Sequence, residues 1–207
     1  MGKVGLIDYG SGNFTSVKNA LEFLEIDMIH VQTGRELDAC SHIILPGVGA
    51  YAAAMTKVES LSIIESLTEQ VRIRKKPFLG ICVGMQLLSN VGKEFVEYPG
   101  LGYIAGSVEK LKTEPYDLPL PHIGWNNLHI EKNGSLLFKD MAEEPHFYFV
   151  HSYHFIPEEP NVISATCDYG CTFAAAIEQD NIFGVQFHPE KSQYDGLQLL
   201  KNFAAIS

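Results

Sequence analysis

The sequence predicts an α/β fold in which a doubly wound, mostly parallel sheet carries an antiparallel C-terminal extension. In the first half of the chain, short apolar runs alternate with segments of helical periodicity, the order typical of a parallel sheet with helices on both faces. From about Leu101, short strand-like segments follow one another between Gly, Pro, Asn and Asp residues. The sequence contains no linker and no internal repeat, so we expect residues 1–207 to form a single domain.

The elements of the first half follow from their apolar patterns. VGLID is the first strand candidate, and the turn-rich DYGSGN leads from it into FTSVKNALEFLE, whose apolar residues recur at helical spacing. MIHV and HIILP are the next strand candidates. Residues 50–75 are predicted to be helical with a break near Ser60. PFLGI has the pattern of a buried strand, and GMQLLSN is predicted to be the helix that follows it.

The second half is predicted to be mostly strands. The candidates are SVEKLK, WNNLHI, HFYFVHSYHF, NVISATC, TFAAAIE and IFGVQF. They are expected to extend the main sheet or to form a second small sheet. LQLLKNFAAI is predicted to close the chain as a helix.

The charge balance argues against two classes of partner. The chain has 15 Lys and Arg residues against 25 Asp and Glu residues, a formal net charge of −10. Attraction to nucleic acid or to an anionic membrane is therefore not expected. No apolar stretch approaches the ~20 residues of a membrane span, and MGKVGLIDYG lacks the features of a secretory signal. We expect a cytoplasmic protein.

The cysteine pattern does not favour a metal site. The four cysteines are expected to be reduced thiols, and Cys167 and Cys171 form a CxxxC pair without a second pair, so they are expected to fill apolar space. DYGSGN begins like a dinucleotide-binding loop, but Thr15 stands where the third glycine belongs. We therefore expect no metal and no cofactor.

The segment GICVG has the form of a nucleophile elbow in which Cys82 replaces the usual serine. Gly80 and Gly84 flank it because side chains at those positions would collide with the strand or the helix. The turn places the sulfur at a helix N-terminus, which favours a thiolate, and directs the backbone N–H of Val83 toward a developing oxyanion. The competing interpretation is a buried structural cysteine among incidental glycines.

The segment HIILPGVGAY offers a second oxyanion donor. Its strand ends at Pro46, and the glycine-rich loop of Gly47, Val48 and Gly49 is expected to lie beside the elbow at the carboxyl edge of the sheet. The free N–H groups of Val48 and Gly49 could bind the oxyanion. Taken alone, the segment could also be an ordinary tight turn.

A cysteine nucleophile needs a base, and His188 in GVQFHPE is the best candidate among the eight histidines. A strand delivers it, a proline ends that strand, and Glu190 is close enough in sequence to orient the imidazole. His151 and His154 are the rival candidates. A single histidine is otherwise most often a surface or core residue.

Together, PGVG, GICVGMQLL and FHPEKS resemble the class I, triad-type glutamine amidotransferases, over a spacing that covers most of the chain. The resemblance implies a flavodoxin-like sheet and a triad of Cys82, His188 and Glu190. It also implies a glutamyl thioester on the cysteine, with ammonia released as it forms and water releasing glutamate afterwards.

The same resemblance implies a set of substrate-binding residues. Gln86 matches the family's substrate-binding glutamine, and Glu94 matches a position that binds the amino group of glutamine. The residues that match the segment binding the substrate carboxylate are His151, Ser152 and Tyr153. Gly47 and Gly49 match the oxyanion strand. In this chain Glu94 lies in a looser loop, NVGKEFVEYPG, than the family's pattern has.

Within the family, IDYGSGNFTSVKNAL, PLPHIGWNNL and FYFVHSYHF resemble the glutaminase subunits of imidazole glycerol phosphate synthases. That likeness implies L-glutamine as substrate, a (βα)8-barrel cyclase subunit as partner in a heterodimer, and a step of histidine biosynthesis. The positions that match partner-facing positions are Asn13, Trp125, Asn126 and Lys191.

Three alternatives remain open at the level of sequence. A paralogous glutaminase that supplies ammonia for amidation of a surface-polysaccharide sugar would have the same catalytic residues. A flavodoxin-like stress or chaperone protein would have a reactive elbow cysteine without glutaminase activity. A cysteine hydrolase of peptides or esters would share the elbow and the base.

Overall fold

A computed structural model describes residues 2–114, 116–131 and 134–207 of the chain. The described strands are β1 (Val4–Ile7), β2 (Met28–Val31), β3 (His42–Leu45), β4 (Phe78–Ile81), β5 (Val91–Gly92), β6 (Tyr98–Pro99), β7 (Gly106–Lys110), β8 (His122–Asn127), β9 (His129–Ile130), β10 (His146–His151), β11 (Tyr153–Pro157), β12 (Ile163–Tyr169), β13 (Cys171–Gln179) and β14 (Ile182–Val185). The α-helices in the same residues are α1 (Phe14–Phe23), α2 (Gly34–Asp38), α3 (Tyr51–Ser60), α4 (Ile64–Thr68), α5 (Val83–Gln86) and α6 (Gln193–Ala204). A π-helix, Glu69–Ile73, continues α4.

The main sheet has eight strands in the order β2-β1-β3-β4-β14-β13-β12-β9. The first five strands are parallel to one another, and β13, β12 and β9 continue the sheet in antiparallel pairs. This arrangement confirms the predicted mostly parallel sheet with an antiparallel C-terminal extension. Strands β1, β3, β4 and β14 are buried at every position, as expected for strands covered on both faces.

Two smaller sheets accompany the main one. Strands β10 and β8 form an antiparallel pair, and β11-β7-β5-β6 form a four-stranded sheet. The predicted strand HFYFVHSYHF is therefore divided between two sheets, with Ser152 between its halves. The break matters for function because it turns the segment from His151 to Tyr153 toward the elbow.

The helix after the elbow is shorter than the sequence predicts. GMQLLSN was expected to be helical, but α5 ends at Gln86. The carbonyl groups of Leu87, Leu88 and Ser89 accept hydrogen bonds from the backbone of residues 101–104 instead of from later turns of a helix. These long-range bonds satisfy the carbonyls that a helix would otherwise use and end it after one turn.

Helix α2 was not predicted, although its start has a recognisable sequence. Thr33 and Glu36 form a capping box, in which the Glu36 carboxylate accepts hydrogen bonds from the N–H groups of Gln32 and Thr33 at 2.7 and 2.8 Å. Within the described residues, no helix is both long and apolar enough to cross a membrane.

Candidate active site

Cys82 is the only residue between strand β4 and helix α5, and its backbone is strained. Its φ of 54° and ψ of −109° lie in a region that residues other than glycine rarely adopt. The Cys82 N–H donates a hydrogen bond to the Val185 carbonyl at 2.7 Å, and its carbonyl accepts from Met85 and Gln86 at 3.0 and 3.2 Å. Hydrogen bonds on both sides of the residue therefore hold the strained conformation.

The two flanking glycines allow the elbow to pack against the sheet. A Cβ atom on Gly80 would overlap the backbone of Gly84, and a Cβ on Gly84 would overlap the carbonyl oxygen of Leu45 in strand β3. The GxCxG spacing is thus required by the close approach of β4, α5 and β3, in agreement with the steric reason expected from the sequence.

His188 and Glu190 form a fully buried pair immediately after strand β14. The His188 Nδ1 atom lies 2.7 Å from Glu190 Oε1, so the carboxylate accepts the Nδ1 proton and leaves Nε2 to act as the base. Burial by itself lowers the pKa of His188, but the charge of Cys82 and the Glu190 carboxylate outweigh burial and raise that pKa to about 10. The thiol is therefore close enough to polarise the imidazole.

The Nε2 atom of His188 is left without an aligned hydrogen bond. It is buried and has no hydrogen-bond partner of good geometry among the described residues, although the Cys82 side chain is near enough to raise the pKa of the ring by a side-chain contact as well as by charge. Loose contacts of this kind are common between a nucleophile and its base when no substrate is bound. The arrangement is suited to a thiolate–imidazolium pair.

The rival histidines are held in the neutral form. Burial lowers the pKa of His151 to about 3 and that of His154 to about 4. Both ring nitrogens of His151 are occupied, Nδ1 at 3.0 Å from the Tyr153 carbonyl and Nε2 at 3.2 Å from His122 Nδ1. His188 is therefore the base that the geometry favours.

A cavity of about 250 Å³ opens beside Cys82. Most of the predicted substrate and oxyanion residues line it: Val48, Gly49, Cys82, Val83, Gln86, Glu94, His151, Ser152 and Tyr153. Pro121 and Val150 complete the wall and were not predicted. The structure thus brings together segments that are more than a hundred residues apart in the chain.

Hydrogen bonds fix the side chains of Gln86 and Glu94 at the cavity. Gln86 Nε2 donates to the Tyr153 carbonyl at 2.9 Å and to Gln186 Oε1 at 3.1 Å, which links α5 to the segment expected to bind the substrate carboxylate. Glu94 Oε2 accepts the backbone N–H of Tyr51 at 2.8 Å. This bond fixes a carboxylate at the cavity, where it could attract an ammonium group.

The backbone N–H group that was expected to bind the oxyanion is already engaged by a backbone carbonyl. The Val83 N–H donates to the Gly47 carbonyl at 3.4 Å, whereas the sequence predicts that this N–H faces an open oxyanion position. Gly47 does not line the cavity itself; a Cβ at this position would lie 2.7 Å from both the Gly84 nitrogen and the Tyr9 hydroxyl. Gly49 has a φ of 95°, which favours glycine.

Gln186 is a contact of the nucleophile that sequence reasoning missed. Its Nε2 lies 3.7 Å from Cys82 Sγ, and its Oε1 accepts from Gln86. The signal was available in GVQFH, because a spacing of two residues between Gln186 and His188 would place both side chains on the same side of an extended chain.

The four predicted interface residues do not share one surface. Trp125 is 47% exposed, and its ring packs edge-on against Tyr148, over which Lys191 places its ammonium 5.8 Å from the ring centroid. Asn126, next to Trp125 on β8, donates instead to the Asp168 carbonyl at 3.0 Å.

Asn13 requires a correction, because it was expected to face a partner. Its side chain is only 2% exposed, and its Nδ2 donates to Glu190 Oε1 at 3.1 Å. The turn before α1 folds against the segment after β14, so this asparagine contacts the triad instead of the surface.

The remaining cysteines give no sign of a metal site. All four cysteines are free, Cys167 is fully buried, and burial raises its pKa to about 12. In the described ranges, no group of three or more His, Cys, Asp or Glu side chains is arranged to hold a metal ion.

The fold and the Cys82–His188–Glu190 arrangement are the features expected of a class I glutamine amidotransferase. Comparison with known families assigns the chain to the same class. The family model of class-I glutamine amidotransferase matches residues 5–206, and the chain belongs to this family. It is an enzyme that takes ammonia from glutamine, and this membership argues against the stress-protein alternative.

Two individual relatives are similar to this chain over nearly its whole length. The chain is 40% identical to the imidazole glycerol phosphate synthase subunit HisH of Pelagibacter ubique, over 97% of this chain and 98% of the relative. It is 46% identical to the subunit of the same name from Desulfitobacterium hafniense, over 97% and 92%.

Two solved structures show the same fold. A structure described as a glutamine amidotransferase superposes with a TM-score of 0.75 at 21% identity, over 98% of this chain and 99% of that one. The structure of PurLQS from Thermotoga maritima gives 0.77 at 19% identity, over 97% and 96%.

Proposed function

We propose that this chain is the glutaminase subunit of an imidazole glycerol phosphate synthase, and that Cys82, His188 and Glu190 hydrolyse L-glutamine for histidine biosynthesis. The observation that carries the proposal is the strained elbow cysteine, which polarises an imidazole held by a fully buried carboxylate. The HisH relatives, matched over nearly their whole length, support the pathway. The family match over residues 5–206 supports a single amidotransferase domain.

The chemistry follows from the positions of the three side chains. The Cys82 thiolate attacks the carboxamide carbon of glutamine, and the tetrahedral intermediate collapses as the His188 imidazolium gives its proton to the leaving nitrogen. Ammonia departs and a glutamyl thioester remains. His188 then removes a proton from water, which attacks the thioester and releases glutamate and the thiolate. Glu190 stabilises the imidazolium throughout.

The cavity supplies groups of the correct polarity for glutamine. The Glu94 carboxylate can bind the substrate ammonium, and the backbone of Ser152 and Tyr153 can bind its carboxylate. Gln86 holds the Tyr153 carbonyl and thereby fixes that segment relative to the nucleophile.

The oxyanion loop suggests how the activity is controlled. With the Gly47 carbonyl accepting the Val83 N–H, the donor that an oxyanion needs is already engaged. Rotation of the Gly47–Val48 peptide would remove the carbonyl and bring in the Val48 N–H as a second donor. A glycine on one side of the peptide makes this rotation inexpensive. We infer that binding of the synthase partner drives it.

The partner in this proposal is a (βα)8-barrel cyclase that consumes the ammonia. Neutral ammonia is the nucleophile, and most of it would be protonated if it escaped into water at neutral pH. Coupling the oxyanion loop to the partner therefore prevents wasteful hydrolysis. We place the reaction in the cytoplasm, in line with four free cysteines that a reducing compartment maintains as thiols.

The proposal is tested by measuring glutamate release from the isolated chain and from its complex with the cyclase in the presence of the cyclase's nucleotide ligand. Removing one oxyanion donor typically costs about 10²–10³ in rate, so we expect a rise of that order in the complex. Peptides and esters should not be turned over. Equal glutaminase rates in the two states would contradict the switch, and turnover of peptides in preference to glutamine would contradict the function.

A further inference from the structure

Glu190 is held by two donors, one of which lies outside the triad. Its Oε1 atom accepts from His188 Nδ1 at 2.7 Å and from Asn13 Nδ2 at 3.1 Å. Its Oε2 atom is buried and receives no hydrogen bond from any residue in the described part of the chain. The position of this carboxylate therefore depends on Asn13 as well as on the histidine that it orients.

Asn13 is itself oriented by Ser11. The Ser11 hydroxyl donates to Asn13 Oδ1 at 2.6 Å, and both side chains are buried. An amide has an acceptor oxygen and a donor nitrogen, so one asparagine can accept from Ser11 and donate to Glu190. The opposite amide orientation would place two acceptor oxygens together at Glu190 and lose the bond to its carboxylate.

The backbone around Asn13 is fixed, and the side chain is not used for capping. Asn13 is the N-cap of helix α1, and its carbonyl accepts the Val17 N–H at 3.1 Å. Asparagine is among the preferred capping residues, yet this side chain makes no capping bond and turns toward Glu190 instead. Its conformation thus serves the contact with the triad.

We propose that Asn13 is a positioning residue of the triad, oriented by Ser11, that keeps the Glu190 carboxylate aligned with His188 Nδ1. This rests on the proposed function in one respect, namely that the Cys82–His188–Glu190 triad performs the hydrolysis. A neutral amide suits this role because it supports the buried carboxylate without a second positive charge that would compete with the imidazolium.

The test uses Asn13→Leu, Asn13→Asp and Ser11→Ala, with Asn19→Leu and Asn19→Asp as matched controls. Asn19 lies on the same helix but is exposed. In the complex with the cyclase, we expect each Asn13 variant to lower kcat for glutamine about 10-fold or more and to leave KM unchanged. The reason is that small misplacements of catalytic groups reduce rates steeply. Ser11→Ala should lower kcat less, and the Asn19 variants should behave as wild type.

Two further readouts separate positioning from a general structural role. Alkylation of Cys82 by iodoacetamide, in which the S–C bond forms and iodide leaves, should slow in the isolated Asn13 variants. The kcat loss in Asn13→Asp relative to wild type should shrink as pH falls, because a protonated carboxyl regains a donor for Glu190. If Asn13→Leu does not fold, Ser11→Ala and Asn13→Asp carry the test.

Unchanged kcat and alkylation rates, with weaker binding of the cyclase, would overturn the proposal and make Asn13 a docking residue. Failure of the proposed function would look different, because the wild-type complex itself would not release glutamate. The alkylation measurement needs no substrate, so it tests the Asn13 contact in either case.

Discussion

At the residue scale, the site depends on titratable groups whose burial sets their charge. His188 is buried beside two groups that favour its proton, whereas burial outweighs the other influences on His151 and His154 and keeps them neutral. The sequence favoured His188, with Glu190 to orient it, and left the other two as rivals. The fold shows that burial keeps those two imidazoles uncharged.

The neutral histidines predict how stability responds to acid. The folded-state pKa values of His151 and His154, about 3 and 4, lie below the ordinary value of 6.5. Their contribution to the unfolding free energy is therefore complete above pH 6.5. It is lost as pH falls toward those pKa values, because the unfolded chain takes up protons first. Each should lower the unfolding free energy by about 1.4 kcal/mol per pH unit in that window.

Chemical denaturation of His154→Phe between pH 6.5 and 4.5 measures this effect. We expect the unfolding free energy of the variant to fall less toward acid than that of the wild type. The difference between the two should equal the contribution of one histidine. His146→Phe, which changes an exposed ring, should keep the wild-type slope. Parallel slopes for all three proteins would show that His154 is not held neutral.

Two residues show what sequence patterns miss at this scale. Gln186 contacts the sulfur of Cys82 because β14 lies beside β4, a pairing of strands that are about a hundred residues apart. Asn13 reaches Glu190 across a separation of 177 positions. Local patterns predict which side a residue faces, but contacts of this range depend on strand order.

At the scale of elements, β3, β4 and α5 pack so closely at the elbow that only glycine fits at positions 80 and 84. Its glycines were predicted from the GxCxG spacing, since the steric requirement is local. The length of α5 was not predicted, because its end is set by hydrogen bonds from residues 101–104. The mostly parallel sheet and its antiparallel extension followed correctly from apolar runs and connections, whereas the order of the strands is known only from the structure.

This close packing of the elbow predicts that Gly84→Ala is strongly destabilising. The added methyl group would overlap the Leu45 carbonyl oxygen, a backbone atom that cannot rotate away. We expect a loss of about 1–3 kcal/mol in unfolding free energy, the usual range for overpacking, together with loss of glutaminase activity. Gly12→Ala is the matched control, since its methyl would meet only a side-chain methyl group of Val48, at 3.3 Å. Equal unfolding free energies for the two variants would contradict the close packing of the elbow.

At the scale of the whole molecule, exposed Trp125 and half-buried Tyr148 beside the triad form the expected docking site for the proposed cyclase partner. Trp125 and Lys191 flank Tyr148, whose carbonyl accepts the His188 N–H at 2.9 Å. A partner bound at Trp125 would thus be two contacts away from the catalytic base. This placement gives docking and catalysis a common structural element, β10.

Trp125→Ala should therefore weaken binding of the cyclase. A central aromatic residue of an interface typically contributes about 2 kcal/mol or more, so titration calorimetry should show Kd rising at least about 30-fold. Ile73→Ala removes another exposed apolar side chain, on the π-helix, and should leave Kd unchanged. An unchanged Kd for Trp125→Ala would remove this face from the interface.

The most direct test of the central claim compares two nitrogen sources in the complex of Cys82→Ala with the cyclase. If a thiolate at position 82 attacks glutamine and the partner uses the released ammonia, glutamine-dependent synthesis of imidazole glycerol phosphate should vanish, and synthesis from an added ammonium salt should persist at the wild-type rate. Retained glutamine-dependent synthesis would contradict the account, as would loss of both activities, which would make Cys82 a residue for folding or docking.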